Sequence, residues 1–419
     1  MLHDVLSIPS LILAGAAGLL LAAPSAAQTT WTVDSAGGAD FDDLQPAVAS
    51  ALVQPGDILL VAEGGYSGGF TLDKPLTIVG AASTTQITGT LTVQTAGDCT
   101  LAGLEFHGLV VKNCPGAVLL DDIVAGIPFS GCDSFTIQGC DNVVIQRSTL
   151  TGKPSFSECA SPGVRILLSR VSLTDCTVDG GDWGSSAFAI GNGKPGIEIG
   201  SSTVLLARTA VTGGDGGTPT SILAGNAGDG ASAITVDSGA CTLRGDGATT
   251  ITGGQGGSGA AILGPDGDDA IWAVSGTGTL TSSGVVLAPP AVQPLLTVVQ
   301  PSPAQPFLRI VGTDDGPGAG KTLQVHGPAG NAQLILVSAQ SVLGSFPAKI
   351  DGALYVNPGA VFAIFPLTTA GQATPVSVLF HVPNDTGLVG ASAVFQGFAQ
   401  GLGAGGTWLA ENPALIVVR

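Results

Sequence analysis

The sequence has few basic residues, few charged residues of any kind and almost no methionine. Its 419 residues include 13 Lys and Arg against 31 Asp and Glu, a formal net charge of −18, and one Met. Such an acidic surface repels phosphate groups, so no nucleic acid is expected among its partners. Gly, Val, Thr, Ser and Ile dominate instead, with 64 Gly and 26 Pro, which predicts a chain of β-strands and turns.

Long hydrophobic runs are missing after the first residues. Residues 6–23 are apolar and Ser25-Ala26-Ala27 resembles a cleavage site, so residues 1–27 are predicted to be a secretory signal peptide. The Lys or Arg that usually opens such a signal is absent. No later stretch is long enough to span a bilayer, so we expect a secreted or cell-surface protein without a membrane span after signal cleavage.

Cysteine and histidine do not form metal-binding patterns. The seven cysteines are Cys99, Cys114, Cys132, Cys140, Cys159, Cys176 and Cys241. Export permits disulfides, but the odd number leaves at least one thiol unpaired, and the spacing does not define the connectivity. No pair forms CxxC and the four histidines are scattered, so a structural zinc site is not expected.

A short unit recurs through the middle of the chain. Its copies are TLAGLEFHG (100–108), VLLDDIVAG (118–126), VIQRSTLTG (144–152), SLTDCTVDG (172–180), LLARTAVTG (205–213) and the looser GDGATTITG (245–253). Counted back from the closing glycine, the second position is apolar in every copy, and the seventh is apolar in all but the last. Such repeats predict a solenoid in which these positions form internal ladders.

The fifth position back from the closing glycine carries charges of alternating sign. It holds Gly103, Asp121, Arg147, Asp175, Arg208 and Ala248. If the copies stack at the strand spacing of roughly 4.8 Å, these side chains form an outward stripe. Two interpretations are open: a catalytic groove, or cross-strand ion pairs that stabilise the stack. The regular alternation of sign favours ion pairs.

Glycine-rich loops with aspartates follow the later copies, including TGGDGG at 212 and TGGQGG at 252. The candidate calcium ligands in such turns are Asp215, Asp229, Asp266 and Asp268, since calcium prefers carboxylate and carbonyl oxygens. Neither glycine-rich loop places Asp where the calcium-binding nonapeptide repeat supplies a ligand, which argues against a calcium β-roll. Aspartate is also an ordinary turn residue, so calcium stays the one candidate cofactor, weakly supported.

The segment before the repeats contains a predicted cap. In DFDDLQPAVASALVQPGD, Leu44, Val48, Ala51 and Leu52 would share one face of a short helix that Asp42 or Asp43 could cap. A solenoid leaves the core of its first coil open, so a helix is needed to cover that end.

The sequence resembles the right-handed parallel β-helix proteins of the pectin-lyase-like superfamily. The matching positions are Phe41, Leu44, Ala47, Pro55-Gly56-Asp57, Val61, Gly65-Tyr66, Lys74-Pro75-Leu76-Thr77-Ile78 and Gly80. With the repeats, the resemblance extends to about residue 288. It implies an all-β, single-stranded right-handed parallel β-helix, but no particular chemistry, because the superfamily contains lyases, hydrolases, epimerases and non-catalytic adhesins.

The family's catalytic patterns are only partly present. Asp121-Asp122 resembles the paired aspartates of the hydrolases, but strand alternation would send the two side chains to opposite faces, with Asp122 in an inward column. Arg147, Arg165, Arg170 and Arg208 match the base of the lyases by residue type alone. GNGKPG (191–196) and DGPGAGKT (315–322) lack the flanking strand and helix of nucleotide sites, so neither predicts a cofactor.

Six prolines between residues 289 and 306 predict a stiff linker after a β-helix spanning residues 28–288. Residues 307–419 contain short alternating runs typical of a small β-sandwich. Its aromatic residues Phe380, Phe395, Phe398 and Trp408 could stack on sugars, although core packing is the commoner role.

The sequence therefore predicts an exported, non-catalytic surface or matrix protein that presents a β-helix face to an extracellular polysaccharide or a cell-surface component. The alternative is a polysaccharide lyase or glycoside hydrolase of the same superfamily. Its candidate catalytic residues would be Asp121, Asp122, Arg147, Asp175 and Arg208.

Overall fold

A computed structural model describes residues 28–419, apart from segments 82–83, 127–134, 155–159, 185–190, 220–226, 246–247, 258–269, 274–276, 283–285, 289–295, 300–306, 313–315, 327–329, 331, 339–340, 346–349, 352, 357–360, 369–374 and 401–407. The predicted signal peptide lies outside the described residues, as do Cys132, Cys159, Asp266 and Asp268. None of the helices in the described part is long and apolar enough to cross a membrane.

The β-rich composition yields 26 short strands among the described residues before position 300. The first thirteen are β1 (Thr30–Val33), β2 (Ile58–Val61), β3 (Gly64–Ser67), β4 (Thr71–Leu72), β5 (Thr77–Gly80), β6 (Thr85–Val93), β7 (Cys99–Ala102), β8 (Glu105–Lys112), β9 (Ala117–Asp121), β10 (Val124–Ala125), β11 (Phe135–Gln138), β12 (Asn142–Gln146) and β13 (Thr149–Thr151). The next thirteen are β14 (Val164–Leu167), β15 (Arg170–Thr174), β16 (Thr177–Asp179), β17 (Ile197–Gly200), β18 (Thr203–Ala207), β19 (Ala210–Thr212), β20 (Ile234–Ser238), β21 (Ala240–Gly245), β22 (Thr250–Thr252), β23 (Ile271–Ala273), β24 (Thr277–Ser282), β25 (Val286–Ala288) and β26 (Leu296–Val299).

These strands wind into a parallel β-helix with three faces, which confirms the predicted fold class. Face A contains β1, β2, β5, β7, β9, β12, β15, β18, β21, β24 and β26 in that spatial order. Face B runs through β3, β6, β8, β10, β13, β16, β19, β22 and β25. Face C runs through β4, β6, β8, β11, β14, β17, β20 and β23, so the long strands β6 and β8 belong to both. Apolar side chains from all three faces fill one continuous core.

The repeat register is confirmed in most coils and wrong by one residue in the copy at 118–126. Leu120, not Leu119, pairs with Leu101 and Ile145 on face A. Ala125, not Val124, occupies the face B column. The reason is that Gly126 takes the place of a strand residue, so that this copy reaches its closing glycine one position early.

A six-residue helix, α1 (Leu44–Ala49), covers the first coil. Asp43 caps it, its carboxylate accepting from the Leu44 N–H at 2.6 Å, and Leu44, Ala47 and Val48 are buried in the core cluster. The helix is shorter than predicted, and Leu52 beyond its end is 66% exposed.

The Asp57 and Lys74 side chains of the Pro-Gly-Asp and Lys-Pro motifs form hydrogen bonds with the segments around helix α1. The Asp57 carboxylate accepts from the backbone N–H groups of Thr29 and Gln54 and from the Trp31 indole N–H. The Lys74 ammonium donates to the carbonyl oxygens of Ser50 and Val53, just beyond the helix end. Both motifs are therefore structural, because they tie the capping segment to the first coils.

The C-terminal region begins where the parallel stack ends. Its strands are β27 (Phe307–Val311), β28 (Gly320–His326), β29 (Ala332–Ser338), β30 (Ser341–Ser345), β31 (Ile350–Asp351), β32 (Ala353–Val356), β33 (Val361–Thr368), β34 (Val376–His381), β35 (Ser392–Ala399) and β36 (Trp408–Val417), with a 3-10 helix at Thr386–Leu388. One sheet has the order β27-β28-β34, a second β31-β36-β35-β29-β33, and β30 pairs with β32. Side chains of the first two sheets share one apolar cluster.

Two details correct the sequence analysis. Strand β26 continues face A to Val299, so the parallel stack extends into the segment 289–306 that was predicted to be a linker. Phe395 and Phe398 are buried, and the Phe395 ring lies 5.3 Å from that of Phe380, so these aromatics pack in the core rather than form a sugar platform. The side chain of Trp408 lies outside the described residues.

Candidate functional site

The predicted charged stripe lies on the turn between faces A and B. Each turn holds one residue with a left-handed backbone, the series being Gly103 (φ 62°), Asp122 (φ 49°), Arg147 (φ 52°), Asp175 (φ 53°) and Arg208 (φ 51°). Asp122, not Asp121, therefore occupies this column. The prediction that Asp122 shares an inward column is also wrong, since Ile123 fills the inward position and is fully buried.

Asp121 instead ends its face A strand and is fully buried. The Arg147 guanidinium binds it in two places, from Nε to Oδ1 at 3.0 Å and from Nη2 to Oδ2 at 2.6 Å. The Gln146 side-chain amide adds a third donor at 3.0 Å. A carboxylate with this many donors is already saturated, which leaves it poorly suited to act as a general base.

A second arginine reaches the same carboxylate from the far end of the chain. Arg419 donates from Nη1 to Asp122 Oδ2 at 2.5 Å and from Nη2 to Asp121 Oδ2 at 3.4 Å. One guanidinium thus joins both members of the aspartate pair. The Asp121 carboxylate lies between Arg147 and Arg419.

The same arrangement recurs two coils later. Asp175 accepts from Arg208 Nε at 2.9 Å and from Arg309 Nε at 3.2 Å. Arg309 belongs to β27 and Arg419 follows β36, so both come from the C-terminal region. We call these two groups, Asp121 with Arg147 and Arg419, and Asp175 with Arg208 and Arg309, the arginine clamps.

The arginine clamps attach the C-terminal region to face A. Strand β36 contacts β12 and β15, strand β30 contacts β9, and Gly390 packs against Ile58. The outward-facing Val144 and Ser172 are consequently buried, each 1% exposed. Face A over these coils is therefore covered, and no open groove lies along it there.

The glycine-rich loops form a second array, between faces B and C. We call their described parts, residues 152–154, 160–163, 180–184, 191–196, 213–219, 227–233 and 253–257, the glycine layer. Backbone groups link its arms in one continuous series: Gly181 N–H to Ser161 O, Lys194 to Gly181, Gly214 to Lys194, Ala231 to Gly214 and Gly254 to Ala231. The arms of successive loops therefore interleave like strands of a sheet.

Close packing explains the composition of the glycine layer. A Cβ on Gly214 would lie 2.3 Å from the Gly181 carbonyl oxygen, and one on Gly254 would lie 2.1 Å from that of Gly214. Only Cα–H groups fit against these carbonyls, in the manner of weak C–H···O contacts. The glycines are thus required by backbone approach, not by loop flexibility.

Two of the predicted calcium ligands, Asp215 and Asp229, form hydrogen bonds between neighbouring loops of the glycine layer. Asp215 Oδ1 accepts from the Gln255 N–H at 2.7 Å, and its own N–H donates to Asp182 Oδ1 at 2.8 Å. The Asp229 N–H donates to Asn192 Oδ1 at 2.9 Å. No group of three potential metal ligands occurs among the residues that the structure describes.

The carboxyl group of Asp179, beside the glycine layer, has a raised pKa. Burial raises the pKa of Asp179, a hydrogen bond with the Thr212 hydroxyl lowers it, and the charge of Asp182 raises it again, with a net upward shift. Its neighbours on face B are Thr151 and Thr212 in strand register.

Face C carries an uncovered column that the sequence analysis did not identify as a site. Thr136, Arg165, Glu198, Thr235 and Trp272 stand side by side in register on β11, β14, β17, β20 and β23. Arg165 pairs with Glu198 at 3.0 Å, and Trp272 is 40% exposed. The alternation in IWAV, with Ile271 buried, was the available signal for an outward Trp272.

The sequence matches no protein-family model and no curated protein. Among solved structures, a pectin methylesterase from carrot is similar with 14% identity and a TM-score of 0.28, covering 67% of this chain and 91% of the carrot chain. The enzymatically active domain of tailspike protein 2 from bacteriophage CBA120 is similar with 11% identity and a TM-score of 0.22, covering 93% of this chain and 76% of the tailspike chain. ORF18 of Geobacillus virus E2 is similar with 11% identity and a TM-score of 0.19, covering 78% of this chain and 68% of the viral chain. Values this low carry no argument about activity.

Proposed function

We propose that this protein is an exported, non-catalytic surface or matrix protein that presents face C of its β-helix to an extracellular polysaccharide. The observation that carries the proposal is the state of the candidate catalytic carboxylates. Asp121 is fully buried between two arginines, and Asp175 is paired with two more. In both cases the carboxylate oxygens bind arginine donors of the protein itself rather than facing an open groove.

Face C supports the choice of ligand. An indole face stacks on the apolar face of a sugar ring, and neighbouring polar groups can hydrogen-bond its hydroxyls. Trp272, Thr235, Glu198 and Arg165 supply this combination in successive coils. Because parallel strands repeat at roughly 4.8 Å, these side chains form one continuous row along which an extended glycan chain could bind.

Binding to immobilised acidic and neutral polysaccharides tests the proposal. Trp272→Ala should weaken retention at least about tenfold, as expected for the loss of an aromatic platform of about 1.4 kcal/mol. Leu168→Ala is the matched control, since Leu168 is 64% exposed but lies on a turn outside the column. Equal retention of wild type and Trp272→Ala would overturn the assignment of face C.

The same polysaccharides should also be incubated with the protein and analysed for new reducing ends and for unsaturated products. No turnover is expected. Turnover that persists in the purified protein and is lost in Asp122→Asn or Arg147→Ala would replace the proposal with a polysaccharide lyase or glycoside hydrolase.

A further inference from the structure

Two ladders of small polar side chains line the inner corners of the β-helix. One contains Ser148, Cys176, Thr209 and Thr249, and the other contains Cys114, Cys140, Ser169 and Ser202. In nearly every rung the side chain donates to the carbonyl oxygen two positions earlier, for example Ser169 to Leu167 at 2.7 Å and Cys140 to Gln138 at 3.4 Å. Cysteine thus takes the place of serine as a hydrogen-bond donor in these ladders.

Cys114 and Cys140 are successive rungs of the second ladder. The strands before them are in register, with Lys112 opposite Gln138. Their contacts are equivalent, because each Sγ lies 3.4 Å from a carbonyl oxygen of its own strand and 3.6 Å from one of the preceding coil, at Val93 or Val111, either of which can accept its single S–H proton. Stacked coils place equivalent Cα atoms about 4.8 Å apart, within the range that a disulfide spans.

The chemistry of the pair supports a reaction between them. A hydrogen bond from the Cys140 thiol, opposed by burial, lowers the pKa of Cys114 to about 7, whereas burial raises the pKa of Cys176 to about 12. In the closed coils, the Cys114 thiol is therefore more easily ionised than the Cys176 thiol. Cys176 has Ser148 and Thr209 as its ladder neighbours, so it has no thiol in an adjacent rung.

We propose that Cys114 and Cys140 form a disulfide across two coils when the protein folds with a small-molecule disulfide as oxidant. One of the two cysteine thiolates attacks one sulfur of the oxidant and releases a thiolate. The other cysteine then attacks the mixed disulfide and releases the second thiolate. The two protein thiol protons pass to the two released thiolates, so the oxidant is reduced to two thiols while one sulfur–sulfur bond forms. Because both side chains are fully buried, the exchange takes place before the coils close.

Refolding in mixed oxidised and reduced glutathione, followed by alkylation and non-reducing peptide mapping, tests the proposal. Cleavage at Asp and Glu separates the neighbouring cysteines, because Glu105, Asp121 and Asp133 lie between Cys99, Cys114, Cys132 and Cys140. The expected product is one linked pair of peptides containing Cys114 and Cys140. The oxidised protein should melt about 5 °C above the reduced protein.

Serine variants provide the controls. Cys114→Ser and Cys140→Ser should each abolish the linked pair and expose one alkylatable thiol, yet still fold, since serine already occupies other rungs of this ladder. Cys176→Ser should keep the link. Full alkylation of both thiols in refolded wild type would overturn the proposal, and so would a link from either of them to Cys99, Cys132 or Cys159.

Discussion

Arg309 donates from its Nε to the Asp175 carboxylate at 3.2 Å, although 134 positions separate the two residues. Arg419 makes the equivalent contact with Asp122 across 297 positions. Both arginines come from the C-terminal region and both carboxylates lie on the β-helix turn. These pairs therefore hold the C-terminal region against face A.

Removing both long-range arginines should loosen this attachment. In Arg309→Ala/Arg419→Ala, each lost arginine weakens docking by about 1 kcal/mol, since both guanidinium groups are partly exposed. Limited proteolysis should then release the C-terminal region faster than in wild type. Raised salt should have a similar effect on wild type, because it screens the pairs. Arg165→Ala, which breaks an ion pair within face C, should leave the cleavage rate unchanged, and an unchanged rate in the double variant would show that apolar contacts alone hold the region.

The two adjacent aspartates should differ in their contribution to stability. Asp121→Asn leaves Arg147 without its buried counter-charge and should lower the free energy of unfolding by about 3 kcal/mol. Asp122 has a side chain that is 47% exposed, so Asp122→Asn should cost about 0.5 kcal/mol. Urea titrations of both variants at neutral pH measure this difference. Equal losses would contradict the unequal burial of the pair.

The glycine layer should reject a single methyl group. Gly254→Ala places a Cβ 2.1 Å from the Gly214 carbonyl oxygen, a backbone atom that cannot rotate away, and should destabilise the protein by about 3 kcal/mol. Gly65→Ala is the control, because nothing lies within 4 Å of its Cβ position. Thermal unfolding should separate the two variants clearly. A wild-type melting temperature in Gly254→Ala would mean that the arms do not interleave as described.

Acid should weaken the N-terminal cap through Asp57. Burial raises the pKa of this carboxyl group, but the donors from Gln54, Trp31 and Thr29 and the charge of Lys74 outweigh it, so the net pKa lies below the usual value of 3.8. A depressed folded-state pKa means that the stabilisation is present above pH 3.8 and is lost as the pH falls through the lower, folded value.

The substitution Asp57→Asn tests this pH dependence. At pH 7 it should cost about 2 kcal/mol, typical for hydrogen bonds to a charged acceptor. The difference between variant and wild type should begin to shrink as the pH falls below 3.8, because the unfolded wild-type chain then takes up a proton while the folded carboxylate is still charged. Urea midpoints measured from pH 7 to pH 3 provide the comparison. A gap that stays constant over this range would exclude ionisation of Asp57 as the cause.

The sequence was sufficient to predict the solenoid, because its apolar ladders depend on contacts between successive coils and therefore leave a periodic pattern. The sequence did not reveal the register of the copy at 118–126, because Gly126 shortens one strand while the copy still ends in a glycine like the others. As a result, Asp121 was assigned to the turn column that Asp122 occupies.

The arginine clamps could not be predicted from the sequence. Arg309 and Arg419 reach carboxylates 134 and 297 positions away, and nothing in their own neighbourhood distinguishes them from surface arginines. Part of the uncovered column on face C could have been predicted from the sequence. Ile271 and Trp272 show the inward and outward alternation of a strand, but the partners of Trp272 depend on strand pairing across three loops.

The interleaving of the glycine layer bears on how this chain can change in evolution. An arm is hydrogen-bonded to the loop before it and the loop after it, so a deletion within one arm would disturb both neighbours. Whole-coil duplication avoids this problem only beside a coil with arms of matching length. The near-identical segments TGGDGG and TGGQGG lie on two successive coils of this kind, and the Gly213 N–H of the first donates to the Thr252 carbonyl oxygen of the second.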